Sequence, residues 1–196
     1  MYTVENLLPL TIYRDKLEYK VTANLFDETF KRQSYNDTVQ GDDVYVLERE
    51  DLKELKDEIL KHICICAKEV FKYKNYEFYI TNSWVNYNPA NSVHTIHSHA
   101  NSIFSGVFYI KLPQKYSSIS FDRQPVTQLS LFSTEFVPAN SQQWDLLVEE
   151  NDIIIFPSTA MHQVKPVSGD RISLAFNVFA RGTFGHDGGT NTLELK

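Results

Sequence analysis

After Lys74 the sequence loses its helical spacing and becomes a run of short β-rich segments with nothing helical between them. Residues 78–86, 104–112, 118–121, 129–137, 145–147, 152–156 and 171–180 carry most of the branched and aromatic side chains. Turn formers such as Asn88-Pro89, Pro113, Asn140-Ser141 and Ser168-Gly169 separate them. A doubly wound parallel sheet needs a helix between successive strands, so that architecture is excluded. Seven or eight short strands in succession predict a mainly β fold, a sandwich or jelly-roll barrel. The 13 Phe and 11 Tyr against 7 Gly agree with a packed, strand-rich interior.

Upstream, the spacing changes. After a short edge strand around residues 8–13, apolar Leu17, Val21, Leu25 and Phe26 predict a helix over 15–32. Residues 33–43 have the composition of a loop. A second helix is marked by Leu52, Leu55, Ile59, Ile63, Cys66 and Val70, which step by three or four and share one face. Acidic Glu48, Glu50 and Asp51 near its start and Lys68 and Lys72 near its end suit the helix dipole. The expected organisation is one domain of 196 residues: helical support over 1–74, a jelly-roll core over 75–181, and a glycine-rich tail over 182–196. The helices should pack on one outer face of the sheet.

Composition narrows the function. A formal net charge of -6 argues against binding nucleic acid through bulk charge. No apolar run approaches the ~20 residues a membrane helix needs, and no basic-then-apolar leader opens the chain. Cys64 and Cys66 are too close in sequence to bridge each other in regular structure, and Cys66 reads as a small core residue. A cytoplasmic protein is expected.

Two segments carry the chemistry. In Val93-His94-Thr-Ile-His97-Ser-His99-Ala100, His97 and His99 would project together from an extended chain, and His94 the opposite way. Paired imidazoles are a poor choice for an apolar core, because each ring nitrogen needs a partner; a metal ion satisfies both, and a polar loop is the plainer alternative. Further on, a buried strand over 153–156 runs through Pro157 to a lone His162. Arg171 then opens a strand on which Arg171, Ser173, Ala175 and Asn177 share a face. An inward Arg with Ser suits a carboxylate or phosphate. An outward Arg171 paired with a surface acid is the other possibility.

Joined, these motifs resemble the 2-oxoglutarate- and Fe(II)-dependent oxygenases, more closely the prolyl-hydroxylase-like oxygenase family found in marine bacteria and their phages. The shared pattern reads Trp84-Val-Asn86, His97-Ser-His99, Ser105-Gly-Val-Phe-Tyr109, Phe156-Pro-Ser158, His162 and Arg171-Ile-Ser-Leu-Ala-Phe-Asn177. The resemblance implies a double-stranded β-helix of cupin-like form and a hydroxylase that uses Fe(II), 2-oxoglutarate and molecular oxygen. It implies His97, His99 and His162 as the catalytic metal ligands, with His99 where Asp or Glu usually stands. Arg171 and Ser173, joined by Tyr109, would bind the distal carboxylate of 2-oxoglutarate, and Asn86 and Asn88 its proximal carboxylate or the substrate. Of the nearby aromatics, Trp84, Tyr87, Phe104 and Phe108 either shield the site or, as is commoner for aromatics on strands, are plain core. A carboxylate such as Asp122 is an alternative third ligand. Two other functions remain open: a cupin-like three-histidine metalloenzyme without 2-oxoglutarate, and a non-catalytic jelly-roll module. Substrate and oligomeric state carry no readable signal.

Overall fold

A computed structural model describes residues 3, 9–21, 25, 31–33, 38–113, 117–123, 129, 131–185 and 190–196. Its strands, in chain order, are β1 (Tyr13–Lys16), β2 (Lys31–Gln33), β3 (Val39–Gly41), β4 (Glu77–Asn88), β5 (His94–His97) and β6 (Phe104–Lys111). β7 (Ser118–Asp122), β8 (Gln143–Leu147), β9 (Asp152–Pro157), β10 (Met161–Val164), β11 (Arg171–Phe184) and β12 (Leu193–Leu195) follow. One α-helix, α1 (Lys53–Ile65), precedes the main run of strands and continues into a π-helical turn, Cys66–Val70.

The strands form two antiparallel sheets facing each other, the jelly-roll that the strand succession predicts. The larger runs β1-β9-β6-β11-β4-β3-β2, with β12 added to β11; the smaller runs β5-β10-β7-β8. Alternation along β11 divides the core. Leu174, Phe176 and Val178 face outward beneath α1, where Leu52, Leu55, Ile59, Ile63 and Cys66 are fully buried against them. Burial pushes the Cys66 thiol up to about 12, so it is an inert core group. Arg171, Ser173, Ala175 and Asn177 face inward, toward the smaller sheet, with Tyr109, Ile154 and Phe156 as neighbours.

Several expectations need correction. Asp15 and Lys16 pair with Ile153 and Asp152 of β9 as strand residues, and residues 17–21 are not helical. Sheet-edge pairing has overridden the apolar spacing there; residues 22–24 and 26–30 lie outside the described residues. The polar stretch 33–43 contributes β3, which hydrogen-bonds to β4. Residues 129–137 form no strand among those described; Leu131, Phe132 and Phe136 are exposed, and Leu131 and Phe136 line an open groove of about 700 Å³ together with Gln143, Trp144 and Asp145 of β8. Val70 is exposed because the π-helical turn, with the Phe71 N–H on the Cys66 carbonyl, inserts an extra residue and gives the buried position to Ala67. The tail contains β12, paired with Gly182–Phe184.

Candidate metal centre

β10 is short and lies between β5 and β7. Its His162 stands opposite His97 of β5 on one side and Phe121 of β7 on the other. The chain leaves β5 at His97 and brings His99 to the same place. The ligand-capable nitrogens of His97, His99 and His162 all lie within 4.8 Å of one another. His99 Nε2 and His162 Nε2 are 3.3 Å apart.

The hydrogen bonds decide which nitrogens are free. His97 Nδ1 bonds the Thr95 carbonyl at 2.7 Å and His162 Nδ1 the Ala160 carbonyl at 2.9 Å. A carbonyl only accepts, so both Nδ1 atoms carry protons and both Nε2 atoms keep lone pairs. Burial, reinforced by the neighbouring imidazoles, lowers His99 to about 3; burial likewise lowers His162 to about 4, against an opposing pull from the Ala160 carbonyl. Neutral imidazoles with converging lone pairs are a donor set awaiting a cation. Two metal–nitrogen bonds of about 2.1 Å at roughly a right angle would place their nitrogens about 3 Å apart, close to the 3.3 Å observed.

Asp122 takes no part. It sits on the opposite face of β7, where its carboxylate accepts from Gln143 Nε2 at 3.0 Å and Gln163 Nε2 at 3.1 Å. No carboxylate joins the histidine cluster among the described residues. His94 also departs from expectation. Its ring stacks on His97, with centroids 4.6 Å apart and planes 17° from parallel. β5 uses three steps between His94 and His97 where β10 uses two between His162 and Val164, and this irregularity turns His94 back toward the site. Burial, then the nearby imidazoles and Arg171, lowers His94 to about 4. No motif marks this bulge in the sequence.

The second group of residues lines the same space between the sheets. In one cross-strand row, Ser173 of β11 lies between Asn86 of β4 and Tyr109 of β6; in the next, Arg171 lies opposite Asn88. Arg171 is 1% exposed, and its Nη1 donates to the Ser118 carbonyl at 2.8 Å. Its Nε has no partner; the Tyr109 hydroxyl and Asn86 Oδ1 are likewise buried and unpaired. The guanidinium stands over the Tyr109 ring, 5.0 Å from its centroid. Burial pulls the Arg171 pKa down and pushes the Tyr109 hydroxyl up to about 12. A buried cation whose Nε–H and neighbouring Tyr109 hydroxyl both have a proton left to donate is a cradle for an anion. Asn88 spends its amide N–H on Thr38 Oγ1, which in turn donates to the Val93 carbonyl, tying down the strand that leads to His94.

Ser118, at the Arg171 end, and Phe121, at the His162 end, are three residues apart on β7. The cradle is therefore about 10 Å along the strand from the histidines, room for a short dicarboxylate. Of the four aromatics, Trp84 borders the site, its ring 5.7 Å from His99. Phe104 and Phe108 point into the outer core under α1, and Tyr87 alternates away from Asn86 and Asn88.

Fold and site together define a metal-dependent enzyme of the double-stranded β-helix class. The family model described as "Putative 2OG-Fe(II) oxygenase", a family of 2-oxoglutarate- and Fe(II)-dependent oxygenases, matches residues 82–177, the span holding every residue of the centre. Solved structures share its fold. HygX of Streptomyces hygroscopicus, solved with nickel, 2-oxoglutarate and hygromycin B, is 9% identical with a TM-score of 0.53, the match covering 86% of this chain and 82% of that one. The non-haem α-ketoglutarate-dependent epimerase SnoN of nogalamycin biosynthesis is 11% identical with a TM-score of 0.54, covering 82% of this chain and 70% of that one. No curated protein gives a significant match to the sequence.

Proposed function

We propose that His97, His99 and His162 hold Fe(II), that Arg171, Ser173 and Tyr109 hold the distal carboxylate of 2-oxoglutarate, and that the enzyme hydroxylates a substrate entering on the Trp84 side. The observation that carries this reading is the pairing of a converging three-imidazole cluster with a buried guanidinium whose Nε has no partner among the described residues, in one inter-sheet space. Fe(II) with 2-oxoglutarate and oxygen supplies the oxidising chemistry, 2-oxoglutarate leaving as succinate and carbon dioxide.

The chain's own residues bind, orient and exclude water. The Thr95 and Ala160 carbonyls fix the tautomers of His97 and His162, so that Nε2 is always the donor atom. Three neutral imidazoles leave the full dipositive charge on the cation, which attracts a dianionic co-substrate more strongly than a site containing a carboxylate would. Arg171 and the Tyr109 hydroxyl give that dianion its distal anchor, and the Asn86 amide offers a hydrogen bond nearer the metal. Phe121 and Phe156 close the space behind His162, while Trp84 covers His99.

The free cysteines Cys64 and Cys66 fit a reducing, cytoplasmic setting. No described helix is long and apolar enough to cross a membrane. The test is succinate formation: it should require both Fe(II) and 2-oxoglutarate and be abolished in His162→Ala. Turnover that ignores 2-oxoglutarate would overturn the reading in favour of another three-histidine metalloenzyme.

A further inference from the structure

We propose that a buried hydrogen-bonded chain, Ser158–Ser105–Asn177, is a positioning device that sets His99 against His162. The inference rests on the reading that these histidines bind a metal, and it gives a role to three residues the proposed chemistry leaves idle.

All three side chains are buried in the inter-sheet space: Ser158 is 1% exposed, Ser105 2% and Asn177 7%. Ser105 Oγ lies 2.8 Å from Asn177 Oδ1 and 2.9 Å from Ser158 Oγ. The amide oxygen only accepts, so the Ser105 proton goes to Asn177 and Ser158 donates to Ser105. The chain thus has one direction, from the turn after β9 across β6 to β11. Three polar groups in a space otherwise filled by Phe156 and Ile154 give no packing advantage over apolar ones. What they fix is the position of Ser158.

The Ser158 backbone grips both ends of the loop that carries His99. Its carbonyl accepts from the His99 N–H at 2.9 Å, and its own N–H donates to the Ile103 carbonyl at 3.0 Å. Between these contacts the loop turns through Asn101 in the left-handed region, φ 56°. Ser158 also lies in the tight turn closed by the Ala160 N–H on the Pro157 carbonyl, and it is the Ala160 carbonyl that orients His162. One four-residue turn therefore sets two of the three imidazoles, and the serine–asparagine chain anchors that turn to the rigid larger sheet. Strain or freedom at Ser158 moves His99 relative to His162 directly.

The test measures metal binding rather than turnover. Co(II) affinity by calorimetry and the Co(II) visible spectrum are read for wild type, Ser158→Ala, Asn177→Leu, Asn177→Asp, His99→Ala and the His99→Ala/Ser158→Ala double variant, with thermal unfolding in parallel. Ser158→Ala and Asn177→Leu should bind Co(II) 10–100-fold more weakly with an altered spectrum, the range typical for groups that support metal ligands. Asn177→Asp keeps an oxygen acceptor and should restore binding to within a few-fold. In the His99→Ala background, Ser158→Ala should cost clearly less than in the wild type, because only the turn's hold on His162 remains to be lost. If Asn177→Leu does not fold, Ser158→Ala, which removes one hydroxyl, carries the comparison. Wild-type Co(II) affinity in Ser158→Ala, or an equal loss with and without His99, would overturn the inference and leave the chain a plain element of core packing. Failure of the wild type itself to bind Co(II), Mn(II) or Fe(II) would overturn the metal assignment, and this inference with it.

Discussion

Arg171 heads the fully buried side chains by volume, and it is a cation with no ion-pair partner among the described residues. Its Nη1 donates to the Ser118 carbonyl, and Nε has no partner among the described residues. An uncompensated buried charge costs several kcal/mol even after the protein relaxes, so the ligand-free fold bears this cost for the sake of the anion it is built to receive. Arg171→Met removes the charge while keeping the stem. The variant should melt at or above the wild-type temperature without ligands. With Mn(II) and 2-oxoglutarate at about a hundred times its dissociation constant, wild type should gain about 2.7 kcal/mol, and the variant should lose the 2-oxoglutarate part of that gain. Differential scanning fluorimetry measures both. A 2-oxoglutarate shift that survives in Arg171→Met would remove Arg171 from the cradle.

β6 is the central strand between β9 and β11, and Gly106 is where it passes under Phe176. A Cβ there would overlap the Phe176 ring and come within 2.8 Å of the Ile154 carbonyl. Because backbone on one side and a core ring on the other leave nowhere to move, Gly106→Ala should destabilise the protein by roughly 2–4 kcal/mol, read as a lower urea midpoint with unchanged m-value. The same element shows what a single sequence reveals. β11 alternates without a break, the register shifts against it falling at Thr81 of β4 and Ile110 of β6, so its pattern alone places Arg171, Ser173 and Asn177 on one face. α1 was equally plain, since Leu52, Leu55, Ile59 and Ile63 hold strict spacing. Where regularity breaks, legibility stops. The bulge in β5 turns His94 toward the site, the π-helical turn trades Val70 for Ala67, and the edge strand expected at 8–13 runs through Asp15 and Lys16 because β9 pairs with it there. Each is a tertiary decision with no local residue signal. The metal centre was legible because His97, His99 and His162 are chemically conspicuous; the Ser158 clamp was not, because it acts through backbone atoms that every residue possesses.

Across the whole molecule, the interior holds more imidazole than a stable acid-resistant fold would choose. His94, His99 and His162 are lowered to about 4, 3 and 4, chiefly by burial, and His62, buried beneath β1 with Tyr13 Oη 2.7 Å from its Nδ1, is lowered by burial too. In the unfolded chain each would titrate near 6.5. Above about pH 7 neither state is protonated, and these groups leave stability unchanged. Below about 6.5 the unfolded chain takes up protons that the folded one refuses, so stability falls with pH and continues to fall until the folded values near 4 are reached. The limiting slope is about 1.4 kcal/mol per pH unit for each histidine. Metal-free wild type should therefore lose urea stability steeply between pH 7 and 5, and His162→Ala should lose less over the same interval. A divalent metal competes for the same lone pairs, so saturating Mn(II) should shift the acid transition of the wild type to lower pH while leaving His162→Ala where it was. Identical pH dependence in wild type and variant would mean that the imidazoles are already hydrated and protonated in the fold, and that the space between the sheets is open water rather than a dry metal site.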